Sequence, residues 1–210
     1  MKFNNYISYA PETLIVSGIF IICGFIFNSK WLLFIGIFMI VLMLTFYRGA
    51  SIENKLKDVD LNTMISPCDG KVLNIVEHEK EEKIQISIFL NVHNIHVQYV
   101  PINGKILSIK YFPGTFHPAY MFQKSQYNER METLFETGYG EIKLVQIAGL
   151  VARRIVSFHE EKQEVKKGAP LGLIKFGSRV DIWIPKNSVK KLLIKKDDRV
   201  HIGDQIVELK

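Results

Sequence analysis

The chain has 210 residues, 48% of them hydrophobic, and carries 27 Lys and Arg against 21 Asp and Glu, a formal net charge of +6. Once a membrane-associated segment is set aside, that length holds one domain of ordinary size, so no second domain is invoked. Charges of both signs are interspersed without a nucleic-acid module, which suits an anionic membrane surface and argues against nucleic acid as a partner; the two cysteines, Cys23 and Cys68, fit neither a disulfide framework nor a zinc site and read as small hydrophobes of a reducing compartment.

Residues 13–27 and 31–46 are uncharged apolar runs separated by Asn28-Ser-Lys30. As helices each reaches roughly 23–24 Å, a little short of a hydrocarbon core of about 30 Å unless flanking residues contribute. The expectation is an N-terminal transmembrane helical hairpin over residues 1–47. A cleaved signal peptide would have a single apolar run, and buried core helices would need a layer to cover that the β-like remainder does not offer. Lys2, Arg48, Lys55 and Lys57 flank the outer ends and Lys30 alone the tip. The positive-inside bias then puts the rest of the chain on the cytoplasmic side of the cell membrane.

Residues 48–63 are polar with little periodicity and read as a linker, the folded domain running from 64 to 210. Two segments then echo each other, Pro67-Cys-Asp-Gly-Lys-Val-Leu-Asn-Ile75 and Pro101-Ile-Asn-Gly-Lys-Ile-Leu-Ser-Ile109, each a turn followed by a strand. Val165-Lys-Lys-Gly-Ala-Pro-Leu-Gly172 and Val200-His-Ile-Gly-Asp-Gln-Ile-Val207 share a Val, Gly and aliphatic rhythm of the lipoyl-carrier hammerhead kind. Strands are predicted at 71–76, 83–90, 95–100, 105–111, 142–148, 150–158, 171–176, 179–184 and 189–194. The fold class expected is mainly β, a compact sandwich or barrel-like domain of short strands with lipoyl-like hammerhead elements. Residues 117–135 read equally as a short helix or an ordered loop.

Within the apolar run Leu171–Pro185, Gly177-Ser178 interrupts the strand pattern, where a bulge or turn is the ordinary explanation. A Ser hydroxyl beside a Gly carbonyl can also attack it if the backbone is strained and a base takes the proton, which makes the pair a candidate self-cleavage site. Upstream, Ile65-Ser-Pro-Cys-Asp-Gly-Lys-Val72 and Phe89-Leu-Asn-Val-His-Asn-Ile-His-Val-Gln-Tyr-Val-Pro101 supply an acid and bases. In these motifs the chain resembles the phosphatidylserine decarboxylase family, pyruvoyl enzymes that mature by self-cleavage. Pro67, Asp69, Gly70 and Val72 match that family's Pro-x-Asp-Gly-x-Val element, and His93, His96 and Pro101 its His-x-x-His-x-x-x-x-Pro element. Phe112-Pro-Gly114, Asn128-Glu-Arg130 and the run Gln146–Ile155 extend the resemblance over roughly residues 64–185. The cleavage site reads Phe-Gly-Ser-Arg where the familiar bacterial members read Leu-Gly-Ser-Thr, which resembles the short archaeal-type subclass and leaves phosphatidylserine and archaetidylserine both open as substrate.

The resemblance implies roles. Ser178, its proton taken by His96, attacks the Gly177 carbonyl carbon and turns the amide into an ester. Loss of the Ser178 α-proton eliminates that ester, and the resulting dehydroalanine takes up water and becomes a pyruvoyl group with loss of ammonia. Asp69 orients and charge-stabilises the His96 imidazole. The products are chains 1–177 and 178–210, which act together. The pyruvoyl cofactor forms a Schiff base with the substrate amine and accepts the electron pair released with carbon dioxide, as pyridoxal phosphate does. His93 is the candidate proton donor to the carbanion; being an odd number of residues from His96, it would face the other way on a regular strand. Arg130, Asn128 and His117, with Gln123, are candidates for the head-group site, Arg130 because a guanidinium binds phosphate or carboxylate bidentately.

Read without the resemblance, Asp69 is a turn residue, His96 a half-buried hydrogen-bonded histidine, and Arg130 a salt-bridge partner. Arg179 either meets an anionic substrate or points to solvent. No metal is expected. The implied partners are an anionic serine phospholipid and the membrane; homo-oligomer formation stays open. A pyruvoyl decarboxylase of soluble amino acids gives no reason for an anchor, and a membrane-tethered biotinyl- or lipoyl-like carrier would need a modifiable lysine at a hairpin tip, of which the sequence offers no convincing instance.

Overall fold

The computed structural model describes residues 11–150, 154–174 and 178–210. It divides into two units, Met1–Gly49 and Ala50–Lys210. Gly177, the expected acyl side of the cleavage, lies outside the described residues.

The first unit is a helical hairpin. Helix α1, Pro11–Ile26, starts with a proline at the position where a missing N–H costs nothing, and has Glu12 in its first turn. Helix α2 is Lys30–Phe46. Asn28 turns the chain between them with φ 47°. The two pack closely at small residues, and a Cβ on Gly36 would lie 2.6 Å from the Ile21 side chain and 2.9 Å from the Ser17 carbonyl oxygen. The expected transmembrane character is corrected: with 16 and 17 residues the helices span about 24 and 26 Å, and among the described residues no helix is long and apolar enough to cross a membrane. The apolar runs set the helices and their tip, but among the described residues neither helix is extended to bilayer thickness.

The second unit begins before the predicted domain start. The segment read as a linker contains α3, Glu53–Leu56, and Ile52 is 5% exposed. Ile52 and Leu56 pack over the turn at Gly168, where a Cβ would approach Leu56 to 2.4 Å. Lys55 Nζ bonds Asp204 Oδ1 at 2.7 Å. Such one-sided contact by two residues among charged ones leaves no readable period.

The strands are β1 Thr63–Ile65, β2 Gly70–His78, β3 Lys83–Leu90, β4 Val97–Tyr99, β5 Gly104–Phe112, β6 Arg130–Thr137, β7 Gly140–Ala148, β8 Ile155–Ser157, β9 Glu164–Val165, β10 Pro170–Ile174, β11 Ser178–Pro185, β12 Val189–Leu192, β13 Arg199–Val200 and β14 Gln205–Leu209. Segment 117–135 resolves into a single helical turn, α4, Phe122–Ser125, and the start of β6. Every pairing between these strands is antiparallel. One sheet has eight strands in the order β13-β2-β3-β11-β7-β6-β5-β9, and two have three, β1-β14-β12 and β4-β10-β8.

Period-two alternation decides which face is buried. Ile84, Ile86, Ile88 and Leu90 of β3 and Val180, Ile182 and Ile184 of β11 join Leu171 and Ile174 from one small sheet, Val100 just after β4, and Met64, Ile206 and Leu209 from the other small sheet in one core. A mainly β domain with the large sheet covered on one face by two small ones is the result.

The echoed segments are equivalent in space. Gly70 pairs with Val200 and Gly104 with Val165. Val72 N–H donates to Asp198 O and Ile106 N–H to Gln163 O. Gly203, with φ 87°, donates its N–H to Ser66 O, and Gly168, with φ 83°, donates to Val100 O. The domain is thus two similar halves joined at the central pair β7–β11. Strands β4–β10 form one half, and β1–β3 with β11–β14 form the other. Ser178 is the first residue of β11, where the chain returns to the interrupted half.

Candidate active site

One end of the large sheet gathers the residues singled out from the sequence. Phe112 pairs with Arg130, Arg130 with Ile147, Ile147 with Arg179, Arg179 with Phe89, and Phe89 with Lys71, a continuous transverse row. One step beyond it Ser178 lies between Leu90 and Ala148. Gly70, and Asp69 before it, begin β2 at the same end.

Ser178 is fully buried, and its Oγ has no hydrogen-bond partner among the described residues. A buried hydroxyl left unpaired costs about 1–3 kcal/mol, so its retention on the central strand requires a reason beyond packing. By alternation with Val180 the hydroxyl faces the core side. A serine that becomes a pyruvoyl needs such a place, shielded from water and not engaged elsewhere.

His96 is also fully buried. Its Nδ1 lies 2.8 Å from the Asn94 carbonyl oxygen. That acceptor makes Nδ1 the protonated nitrogen and leaves Nε2 as the basic one. The His96 carbonyl accepts the Ile174 N–H at 3.1 Å and the Gln98 amide at 2.7 Å, so the histidine is fastened to the end of β10, just before the chain passes toward Ser178. Gln98 in turn accepts from Gln146 Nε2 at 2.7 Å. Gln146 is opposite Val180, one alternation from Ser178. Sequence reasoning gave Gln98 and Gln146 no role; the available signal was a lone amide within each apolar strand pattern.

Asp69 does not make the expected bond to the imidazole. Its Oδ1 accepts the Ile202 N–H at 2.9 Å, and the His96 Nδ1 position is taken by the Asn94 carbonyl. His93 is exposed in a turn closed by Asn94 N–H to Asn91 O at 2.9 Å. Since β4 begins only at Val97, strand alternation does not govern the pair His93 and His96. Cys68 is fully buried, and burial, then the charges of Asp69 and Asp181, push its thiol well above the ordinary range. It stays protonated and is no competing nucleophile.

The head-group candidates separate into two surroundings. Asn128 is fully buried. Its Oδ1 accepts the His117 N–H at 2.8 Å, and its Nδ2 donates to His117 O and to Ala148 O, each at 2.7 Å. It therefore ties the 113–129 loop to the strand neighbour of Ser178. His117 is half-buried beside it. Arg130 lies on the outer face of the sheet, its guanidinium stacked 4.3 Å from the Phe112 ring and its Nε 3.0 Å from Glu132 Oε1. Burial raises the Glu132 carboxyl, but the bonds and charges of Arg130 and Lys143 outweigh it and hold the group below its usual range.

Arg130 lines a cavity of about 280 Å³ on that face with His78, Gln85, Lys143, Arg179 and Trp183. Arg179 is 2% exposed. Its Nη2 donates to Asp181 Oδ2 at 3.0 Å and its Nη1 to Ser125 Oγ at 2.5 Å, and it stacks 4.7 Å from Phe122. It neither points to solvent nor presents a free guanidinium; it clamps α4 onto the strand that begins with Ser178.

An antiparallel β domain whose central strand opens with a buried serine that has no hydrogen-bond partner among the described residues, and a buried histidine whose backbone carbonyl is bonded to the strand that leads toward it, has the parts of a serine-dependent self-processing proenzyme. The chain belongs to the phosphatidylserine decarboxylase family, whose model matches residues 44–208. It is 41% identical over 190 residues to the phosphatidylserine decarboxylase proenzyme of Rickettsia typhi, a match that spans 86% of this chain and 80% of that protein. With the proenzyme of the same name from Desulfotalea psychrophila it is 39% identical over 177 residues, 81% of each chain.

Proposed function

We propose that this chain is a proenzyme that cleaves itself between Gly177 and Ser178 and then, as a pyruvoyl enzyme, decarboxylates phosphatidylserine to phosphatidylethanolamine. The observation that carries the reading is the buried Ser178 hydroxyl with no partner among the described residues. The relatives are named for phosphatidylserine, which favours it over archaetidylserine. The pyruvoyl group supplies a carbonyl that takes the substrate amine and an electron sink for the pair left by carbon dioxide.

Around it this chain's own residues act as follows. His96, its tautomer set by the Asn94 carbonyl, takes the Ser178 hydroxyl proton at Nε2. Asp69 contributes negative charge at the same sheet end, favouring the imidazolium that forms. His93, on its exposed turn, gives a proton to the substrate carbon that has lost carbon dioxide. Asn128 holds His117 and Ala148 in place, and Arg130 takes the anionic head group by exchanging its Glu132 contact for phosphate or carboxylate oxygens. The hairpin, with Ile15, Phe25 and Trp31 exposed, lies in the interface of the cell membrane, and the domain stands on its cytoplasmic side. The turns at Gly168 and Gly203 with their flanking strands are hammerhead elements of the lipoyl kind.

Intact mass of the purified protein tests the reading. Two chains that meet at Gly177 and Ser178, the second with a blocked N-terminus, are expected, and Ser178→Ala should give one uncleaved, inactive chain. Cleavage of that variant, or an uncleaved active wild type, overturns the proposal.

A further inference from the structure

The loops leaving the C-terminal ends of β3, β5 and β7 all emerge at the Ser178 end of the large sheet, because these strands run in one direction and the row through Phe89, Phe112 and Ile147 is continuous. Their surface is unlike the rest of the domain. Val92 is 60% exposed in the first loop, Tyr120 57%, Met121 40% and Tyr127 65% in the second, and Leu150 63% in the third. With Tyr111 beside them, they are six of the eight exposed large hydrophobic residues described after Gly49; the other two are Leu61 and Leu193.

Charge separates the two ends as well. Lys124 and Arg154 are exposed in these loops, and Glu129, the one acid of segments 91–96, 113–129 and 149–154, is 5% exposed. At the opposite end the β2–β3 turn is Glu79-Lys80-Glu81-Glu82, acidic and without an apolar residue. Apolar and tyrosine side chains at three loop tips, with cations and no exposed acid between them, match the boundary of an anionic bilayer: acyl chains take the aliphatic groups, the interface takes the tyrosines, and the head groups take the cations.

Accordingly, we propose that the loop tips bearing Val92, Tyr120, Met121, Tyr127 and Leu150 form an interfacial surface that docks the domain on an anionic phospholipid bilayer with the Ser178 end facing the lipid. This rests on the decarboxylase reading and adds to it how the substrate is reached: the head group is presented to the sheet end without leaving the membrane. The docking surface belongs to the second unit itself, so the hairpin's role is tethering and the loops' role is orientation.

Turnover by the full-length chain on vesicles of phosphatidylserine and phosphatidylcholine, set against turnover of dispersed short-chain phosphatidylserine, separates docking from chemistry. The variant Tyr120→Ser/Tyr127→Ser/Leu150→Ser should self-cleave normally and retain turnover on dispersed lipid, while its apparent affinity for vesicle lipid falls about 10-fold or more. Equal loss on both substrates, or no loss on vesicles, overturns the proposal. Wild-type protein inactive on both would instead sink the decarboxylase reading.

A second measurement avoids the loss-of-function variant. Tryptophan introduced by Tyr120→Trp should be quenched by shallow spin-labelled lipid in the same vesicles, after subtraction of the unsubstituted chain, and tryptophan introduced by Lys80→Trp in the opposite turn should not. Equal quenching at both positions overturns the orientation. A fall from dimer to monomer in the triple variant, with vesicle turnover intact, would show that a second copy covers this surface and would likewise overturn it.

Discussion

Asp69 and Asn103 hold equivalent places in the two halves of the domain. Asp69 Oδ1 accepts the Ile202 N–H at 2.9 Å, and Asn103 Oδ1 accepts the Lys167 N–H at 2.7 Å, each beside a glycine that opens a long strand. The turn therefore needs a side-chain oxygen and not a charge. The halves differ in location, since Asp69 lies at the Ser178 end and Asn103 at the far end.

From this pair follows a clean separation of structure from chemistry. Asp69→Asn should fold with an unchanged melting temperature, because Asn103 already shows an amide making the same bond. Self-cleavage should slow by about 10²-fold or more, since the variant lacks the charge that favours the imidazolium of His96. A time course on denaturing gels, read beside thermal melting, checks both. Normal cleavage would reduce Asp69 to a turn residue, and a collapsed melting temperature would show that the charge is structural.

The same equivalence explains what could be read from the sequence. Asp-Gly and Asn-Gly turns, and the Val and Gly rhythm of residues 165–172 and 200–207, were visible because a tight turn leaves few residue choices. Strands β3, β7 and β11 were visible because their alternating aliphatic residues all enter one core. By contrast β6 was missed: its buried positions are Met131, Thr133 and Phe135, and a threonine in the middle weakens the alternation. Two-residue strands such as β9 and β13 are too short to show a period at all. At the site, motif residues identified the sheet end but not their own partners. That Asn94 rather than Asp69 meets His96 Nδ1, and that Asn128 spends its amide on Ala148 and His117, are long-range facts of register.

Cleavage should leave the two chains inseparable under native conditions. Residues 178–210 supply β11, paired on both sides by β3 and β7, as well as β13 paired with β2 and β14 paired with β1. No strand of the shorter chain rests only on its own partners except β12, which lies beside β14. Size-exclusion chromatography of mature protein should give one peak containing both chains, separable only in denaturant. A free 178–210 peptide in buffer would contradict the sheet order.

Glu129 should make stability fall as pH rises. Burial lifts its carboxyl above the usual range, partly opposed by a hydrogen bond from Tyr111. A folded-state value above the unfolded one, about 4.3, means that the folded protein binds the proton more tightly. The contribution is fully present below the unfolded value and is lost as pH passes up through the folded one. Urea denaturation of uncleaved Ser178→Ala, with and without Glu129→Gln, should therefore show the glutamine variant gaining on its parent between pH 4 and pH 7. A pH-independent difference would refute the raised value.

His93 and His96 should fail at different steps. His96 is buried, with one ring nitrogen engaged by Asn94 and its backbone bonded to Ile174 beside the approach to Ser178, whereas His93 is exposed on the turn that precedes it. Losing a general base costs about 10²- to 10⁴-fold in rate, so His96→Ala should leave most of the chain uncleaved over hours. His93→Ala should cleave normally, because a donor that reaches the substrate carbon is needed only after maturation, and should then decarboxylate slowly. Its deficit should appear in kcat and not in the affinity for lipid, since the anionic head group is assigned to Arg130 and His93 only to proton delivery. Gels for processing, paired with a lipid assay on the same preparations, read the two steps separately. If His93→Ala blocks cleavage while His96→Ala matures and merely turns over slowly, the roles are exchanged; if both variants mature and turn over normally, neither imidazole acts in the chemistry and the buried ring serves only to hold the Asn94 turn.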